Sequence, residues 1–287
     1  MTSPAKSVVQ WLANLCGAQV SDRGKCFVTA RTERSAILGL IGRLMPMVTD
    51  RPLLRLGPEG DGGYLVVDDL DGISACFSPG VNTVSGFEEA CANLGMGVYL
   101  ADASVSGPAV SHPAFTFLKK YVGSFPETNF VTLDEWVSDS LPGDGQSDLL
   151  LQMDIEGFEY ETVLAVSDRV LRRFRHVIVE FHGLEQLWNR PFFEIASRAF
   201  CKLLATHTCV HIHPNNCCGH YDFAGVCIPR VAEFTFIRTN RCRIIRPATA
   251  FPHPLDRDNT PNASLPLPPC WYAPRGQTPE GSPCSML

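Results

Sequence analysis

Four side chains able to carry acid-base chemistry follow two apolar runs: Asp154 and Glu156 after Leu149–Met153, and Glu180 and His182 after Val177–Val179. Carboxylates beside an imidazole are the groups that move protons at neutral pH. His182 is expected to act as the general base, with Glu180 orienting it. Alternatively, Asp154, Glu156 and His182 form an oxygen-rich site for a divalent metal ion that lowers the pKa of a hydroxyl. Glu156 has a second reading as the cap of a helix beginning near Gly157, because acidic residues favour helix N-termini.

These residues need a frame, and residues 51 to about 246 alternate short apolar runs with amphipathic segments, the pattern of βαβ units and a parallel sheet. Ile73–Phe77 predicts a strand that breaks at Ser78-Pro79-Gly80. Ser85 with Glu88 predicts a capping box opening a helix whose stripe is Phe87, Ala90, Cys91 and Leu94, ended by Gly95. Val98–Leu100 predicts a strand stopping at Asp102, and Ala114–Leu118 one that ends near Val122 and Gly123. Leu149–Met153, apolar except at Gln152, predicts a strand buried on both faces. One helix is then expected to carry Tyr160, Val163, Leu164, Val170, Leu171 and Phe174 on a single face. A strand at Val177–Val179, a helix burying Phe193, Ala196, Phe200, Leu203 and Leu204, and strands at Cys209–Ile212 and Phe234–Ile237 complete the unit. His211 and His213 are expected to face away from one another, with His211 in a core or surface role.

Residues 1 to about 50 predict an N-terminal helical appendage, with Ile37, Leu38, Ile41 and Leu44 at helical spacing before Pro46. Prolines recur from Pro247 to Pro283, so residues 247–287 are expected to form an extended wrap or to lack order.

In open α/β sheets ligands bind beyond the carboxyl ends of the strands. Those ends carry Ser78, Gly80, Val81 and Asn82, then Asp102, Val122 with Gly123, Asp154 with Glu156, Glu180 with His182, and His213 to Asn216. This rim is acidic and polar, with no Lys or Arg. Neither a Gly-x-Gly-x-x-Gly nor a Gly-x4-Gly-Lys fingerprint is present, which argues against a dinucleotide or a nucleoside triphosphate. S-adenosyl-L-methionine has a positive sulfonium and no phosphate, so one glycine turn suffices while carboxylates hold its ribose and ammonium. Asp102 is the expected ribose ligand, and Gly80 the point of close backbone approach.

Composition excludes other classes. Hydrophobic residues make up 45% of the 287-residue chain and charged ones 19%, enough for a packed core, and the net charge of −6 argues against a nucleic-acid partner. The basic stretches Arg169–Arg175 and Arg238–Arg246 are read as solvated surface. Twelve cysteines without a Cys-x-x-Cys pair suggest buried thiols rather than a disulfide framework. Cys217-Cys218-Gly219-His220 lacks zinc-site spacing, so zinc is not expected there. No signal peptide or membrane span is visible, so a reducing, cytoplasmic location is expected, in which the Asn262-Ala263-Ser264 sequon has no glycosylation meaning. Asp61-Gly62-Gly63-Tyr64 and Asp68 to Asp71 read as tight turns.

The run Leu149-Leu-Leu-Gln-Met-Asp-Ile-Glu-Gly-Phe-Glu159 resembles the Asp-x-Glu-Gly-x-Glu signature of the FkbM-type methyltransferases. Arg55 to Tyr64, Phe77-Ser-Pro-Gly-Val-Asn82 followed by Phe87-Glu88, Val179-Glu-Phe-His182 and His211-Ile-His-Pro-Asn-Asn216 extend the resemblance, to a branch that includes methyltransferase-like proteins of animals and algae. It spans residues 51 to about 240. It implies a doubly wound, Rossmann-like α/β domain with a mostly parallel seven-stranded sheet whose last strand is antiparallel, S-adenosyl-L-methionine as cofactor, and methyl transfer to an oxygen of a small molecule or glycan. It also places Asp61, Gly62 and Ala103 in the cofactor site with Ser78, Gly80, Val81, Asn82, Asp102, Val122 and Asp154. The chain departs from the pattern at Asp102-Ala103-Ser104, where Asp-His-Thr is expected. That departure keeps a second class open, a catalytically silent binding or interaction module on the same fold. Oligomeric state leaves no mark on the sequence.

Overall fold

A computed structural model describes residues 29–81, 83–143 and 145–273, together with the backbone of residues 19–20 and 26–27. We label the helices α1 (Arg34–Arg43), α2 (Gly86–Asn93), α3 (Leu133–Ser140), α4 (Glu159–Ala165), α5 (Asp168–Leu171) and α6 (Arg190–Leu204). From residue 47 onward the strands run β1 (Met47–Thr49), β2 (Leu53–Leu56), β3 (Tyr64–Val67), β4 (Ile73–Pro79), β5 (Gly97–Ala101), β6 (Phe115–Leu118), β7 (Tyr121–Val122) and β8 (Phe130–Val131). They continue as β9 (Asp148–Met153), β10 (Phe174–His182), β11 (His207–Pro214), β12 (His220–Phe223), β13 (Val226–Pro229), β14 (Val231–Arg238) and β15 (Ile244–Pro247).

Seven strands form one sheet in the order β11-β14-β10-β9-β4-β5-β6. The pairs β9–β10, β9–β4, β4–β5 and β5–β6 are parallel. The last strand of the seven, β14, is inserted antiparallel between β10 and β11. The expected mostly parallel α/β sheet is therefore present, Rossmann-like in its layering. Strand β9 shows why an uninterrupted apolar run was needed: Leu149, Leu151 and Met153 enter one core while Leu150 enters the other.

Several local expectations fail for identifiable reasons. Ser85 precedes α2 but makes no side-chain cap, and Glu88 turns inward to bond the Ser78 hydroxyl at 2.6 Å. In the α2 stripe Phe87 and Cys91 are buried while Leu94 is exposed. The single helix expected after Asp154 is two, α4 and α5, because the Ser167 side chain caps a new helix at the Val170 amide. Phe174 opens strand β10 instead of extending that helix face. The strand ending at Leu118 does not reach Val122, which sits in the separate short strand β7 paired with β8.

As far as they are described, both terminal segments pack on the body of the molecule. Ile37, Leu40 and Ile41 of α1 are buried in the main core, as is Leu44 just after the helix, and Leu38 is partly buried. The helix is followed by β1, which pairs antiparallel with β15 and ties the segment before the sheet to the one after it. The proline-rich segment is an extended wrap as far as residue 273 and ends with Trp271 fully buried, its indole donating to Cys227 O at 3.1 Å. Residues 1–18 and 274–287 lie outside the described residues.

The basic stretches are not simply solvated surface. Arg175 is buried and pairs with Asp148 at 2.7 Å and with Asp69, while Arg238 meets Asp148 at 2.7 Å and Arg241 meets Asp69 at 2.7 Å. Asp69, expected as part of a turn, is thus the hub of a cluster that also holds Arg51 at 3.1 Å. Among the described residues, no helix is long and apolar enough to cross a membrane. Cys217 and Cys218 are joined in a disulfide, and Cys76, Cys91, Cys209 and Cys227 are buried thiols.

Candidate functional site

The carboxyl ends of β4, β5, β9 and β10 meet where Gly80 turns out of the sheet. Gly80 has φ of 90°, and a Cβ there would lie 1.6 Å from the carbonyl oxygen of Asp154. Only glycine lets β4 and β9 leave the sheet side by side. The close approach that requires glycine here is to the Asp154 backbone, and Gly80 also lines the cavity described below. Gly80 N–H donates to Ala101 O at 3.0 Å and Val81 N–H to Asp102 Oδ2 at 3.0 Å, so one turn fastens all three strand ends.

Asp154, Glu180 and His182 form the centre. One side-chain atom from each lies within 4.8 Å of the others. His182 does not take its orientation from Glu180. Its Nδ1 is 3.1 Å from Glu159 Oε1, and its Nε2 points toward Asp154 Oδ1 at 3.8 Å and Glu156 Oε2 at 3.5 Å. Glu180 is engaged instead by Asn215, whose amide donates at 2.9 Å. Glu156 does not cap α4. It has φ of 56°, unfavourable for a non-glycine residue, and its carboxylate projects outward beside His182. The loop is held from below by Glu159, fully buried, which accepts from the amides of Ile155 at 3.3 Å and Gly157 at 2.9 Å.

Electrostatics follow from this crowding. Burial raises the Asp154 carboxyl to about 7, His182 opposing the rise and Glu156 adding to it. Burial with the charges of Asp154 and Glu233 raises Glu180 to about 9. Burial disfavours the His182 imidazolium, yet the bond to Glu159 and the surrounding carboxylates outweigh it and raise that group to about 9. The surrounding carboxylates thus favour the protonated form of His182, in which its Nε2 donates toward Asp154 and Glu156. Asp154 Oδ1 is buried without a hydrogen-bond partner, an arrangement that favours a cation.

The remaining expected ligands divide. Asp61, Gly62, Tyr64, Gly80, Gln152 and Asp154 line a common cavity of about 30 Å³. Ser78 is fully buried in a chain of side chains: Glu88 Oε1 lies 2.6 Å from its hydroxyl, Gln152 Oε1 2.7 Å, and Gln152 Nε2 donates to Tyr64 Oη at 3.0 Å. A hydroxyl has one proton to give, so Glu88, whose carboxyl burial raises above its ordinary value, fits as the group donating to Ser78. Ser78 is thus wall, not ligand. Asp102 is nearly buried, its Oδ1 accepting from both the amide and the hydroxyl of Ser104 at 2.6 Å. Ala103 is half-exposed beside it, whereas Val122 is buried in the core. Asn82 lies outside the described residues.

Sequence reasoning gave no role to Glu159 or Asn215 and did not single out Glu233. Glu159 stood in the quoted run, and its place at the start of α4 was the available signal. Glu233 faces Glu180 on one side and His213 on the other across three strands. His211 and His213 do not face apart: residues two positions apart on a strand share a face, and both rings reach Asp256 of the wrap, at 2.8 and 3.7 Å.

Replacing Glu159 with Gln keeps an acceptor for His182 and removes the charge. The imidazole titration of His182, followed by NMR, is expected to fall from well above 7 toward the ordinary value of about 6.5. An unchanged midpoint would mean that Glu159 does not hold the proton on His182.

A cofactor can be tested against these donors. Two carboxylates with raised pKa values, an unpartnered Asp154 oxygen and an imidazole oriented by Glu159 suit a positive group, either a divalent ion or a sulfonium and ammonium. A space of about 30 Å³ holds about one water, less than a nucleoside needs, and the loop at residues 57–63 supplies Asp61 and Gly62 to its lining. That loop is braced by Arg55, which donates to Pro58 O at 2.8 Å and Gly60 O at 2.7 Å. No family model and no curated protein matches the chain.

Proposed function

We propose that the protein is an S-adenosyl-L-methionine-dependent methyltransferase that methylates a hydroxyl on a small molecule or glycan. The observation that carries this reading is the cation-seeking cluster of Asp154 and Glu180 at the carboxyl edge of the sheet, free of phosphate-binding features and joined through Gly80 to Asp102. The antiparallel seventh strand agrees with what the resemblance to FkbM-type enzymes implies. When bound, the cofactor supplies an electrophilic methyl group on a positive sulfur. The chain supplies position and proton handling. Asp102 fixes the Val81 turn and offers its remaining lone pairs to ribose hydroxyls. Asp154, with a carboxyl near neutrality, is suited to take the acceptor proton. Glu159 keeps His182 protonated and aimed at the same point. A divalent ion on Asp154, Glu180 and His182 would acidify the hydroxyl instead, with Glu180 in the place the sequence gave to Glu156.

One observation favours the second class, a silent binding module: Asp102 already has both oxygens bonded within the chain. Isothermal titration with S-adenosylhomocysteine separates the two. Binding by the wild type, weakened about tenfold or more in Asp102→Ala, is expected, since a hydrogen bond to a charged group contributes about 1.5–3 kcal/mol. Absence of binding by the wild type would overturn the methyltransferase reading and leave the module.

A further inference from the structure

The hairpin of β12 and β13 gathers three metal-ligating side chains that the site above does not use. Ala224 and Gly225 join its strands with φ of 50° and 70°, the two positive values of a type I′ turn, which fixes the register of the flanking strands. Arg34 Nε donates to Ala224 O at 2.8 Å, and Trp271 Nε1 to Cys227 O at 3.1 Å, so both the turn and the second strand are held from outside the hairpin. In that register Asp222 stands opposite Cys227. His220 shares the face of Asp222, being two residues away on the same strand. Tyr221 and Phe223 pack against the main core. The opposite face therefore brings an imidazole, a carboxylate and a thiol together. His220 Nε2 is 3.0 Å from Asp222 Oδ2, and the nitrogen, oxygen and sulfur atoms all lie within 4.8 Å of one another.

We propose that this face binds a zinc-type divalent ion through His220 Nε2, the Asp222 carboxylate and Cys227 Sγ, with water in the fourth position. Nitrogen, sulfur and oxygen donors together select a borderline ion of the zinc class over magnesium or calcium, which take oxygen alone. Binding exchanges the S–H bond of Cys227 for a sulfur–metal bond and releases the proton to solvent. His220 and Asp222 are exposed, which leaves the ion a path in, while Cys227 is buried and anchors it. The sequence excluded zinc on the adjacent pair Cys217 and Cys218, and it is the hairpin register that supplies a different cysteine. A two-stranded hairpin is marginally stable by itself, and an ion bridging His220 and Asp222 on β12 to Cys227 on β13 would clasp its strands.

Cobalt(II) titration of the full chain, read by absorption, tests the assignment. One equivalent of cobalt is expected to give the visible bands of a four-coordinate ion together with a sulfur-to-cobalt charge-transfer band, and zinc is expected to displace it. Cys227→Ser should abolish the charge-transfer band. His220→Ala, at an exposed position where folding is not at issue, should weaken binding at least about tenfold, the loss that follows removal even of an outer-shell partner. The band should survive in the Cys217→Ser/Cys218→Ser double variant and in His182→Ala. No charge-transfer band, or one that persists in Cys227→Ser, would overturn the proposal, as would unaltered affinity in His220→Ala.

Discussion

Gly80→Ala is expected to cost at least about 3 kcal/mol of folding stability, adding the strain of a left-handed non-glycine residue to a backbone collision. The Cβ would sit 1.6 Å from the carbonyl oxygen of Asp154 and 2.7 Å from its carbon, and neither atom belongs to a side chain that could swing away. Strands β4 and β9 would have to separate at their carboxyl ends. Gly95 is the control: its φ of 88° is nearly the same, but nothing lies within 4 Å of an added Cβ, so Gly95→Ala should cost about 1 kcal/mol. Urea denaturation of the two variants measures the difference, and equal losses would refute the steric account. Because the collision is with Asp154 itself, any folded fraction of Gly80→Ala should also bind S-adenosylhomocysteine more weakly.

The strands that carry the site were legible because burial on both faces leaves a plain apolar signature. Leu149–Met153 could be read as a central strand, and its end at Asp154 located the rim. What could not be read was which polar group meets which. Glu88 has the spacing of a capping partner for Ser85, yet the structure uses it 10 residues back in sequence, at Ser78. Local spacing suggested one bond, and a buried hydroxyl with an amide behind it offered a better one. Arg175 looked like helix surface because its partner Asp69 is 106 residues distant, and no periodicity encodes an ion pair across two strand ends.

His182 shows the same limit at the site. Glu180 is its neighbour in sequence, and both side chains lie on one face of β10, so pairing them was natural. The register of β14 instead places Glu233 beside Glu180, while the turn before α4 drives Glu159 under the imidazole. The pairing matters for the site, since it is Glu159 and not Glu180 that holds the imidazole and favours its protonated form. The wrap was the least legible part: its prolines announced an extended path, but nothing announced that Asp256 would end between His211 and His213 or that Asn259 would donate to Glu233 at 2.7 Å.

The second large effect concerns the opposite side of the protein's charge balance. Asp69→Asn is expected to cost about 3 kcal/mol at neutral pH, because it leaves the buried Arg175 guanidinium short of one of its two carboxylates and loosens Arg51 and Arg241. The sign of the pH dependence follows from the shifts. Asp69 and Asp148 lie below the ordinary carboxylate value, since their bonds to Arg241 and Arg238 overcome the effect of burial. Their stabilisation is complete above about pH 4, the ordinary value, and drains away as pH falls toward the lowered ones. Glu88 and Glu233 are raised by burial and act oppositely: the folded protein prefers them protonated, so stability declines as pH rises through their folded values. Ligand-free protein should therefore lose stability steeply as pH falls below about 4. Urea midpoints measured across the range should show the steep acid limb in the wild type and a shallower one in Asp69→Asn. Parallel acid limbs would mean that Asp69 is not the carboxylate whose protonation opens the fold.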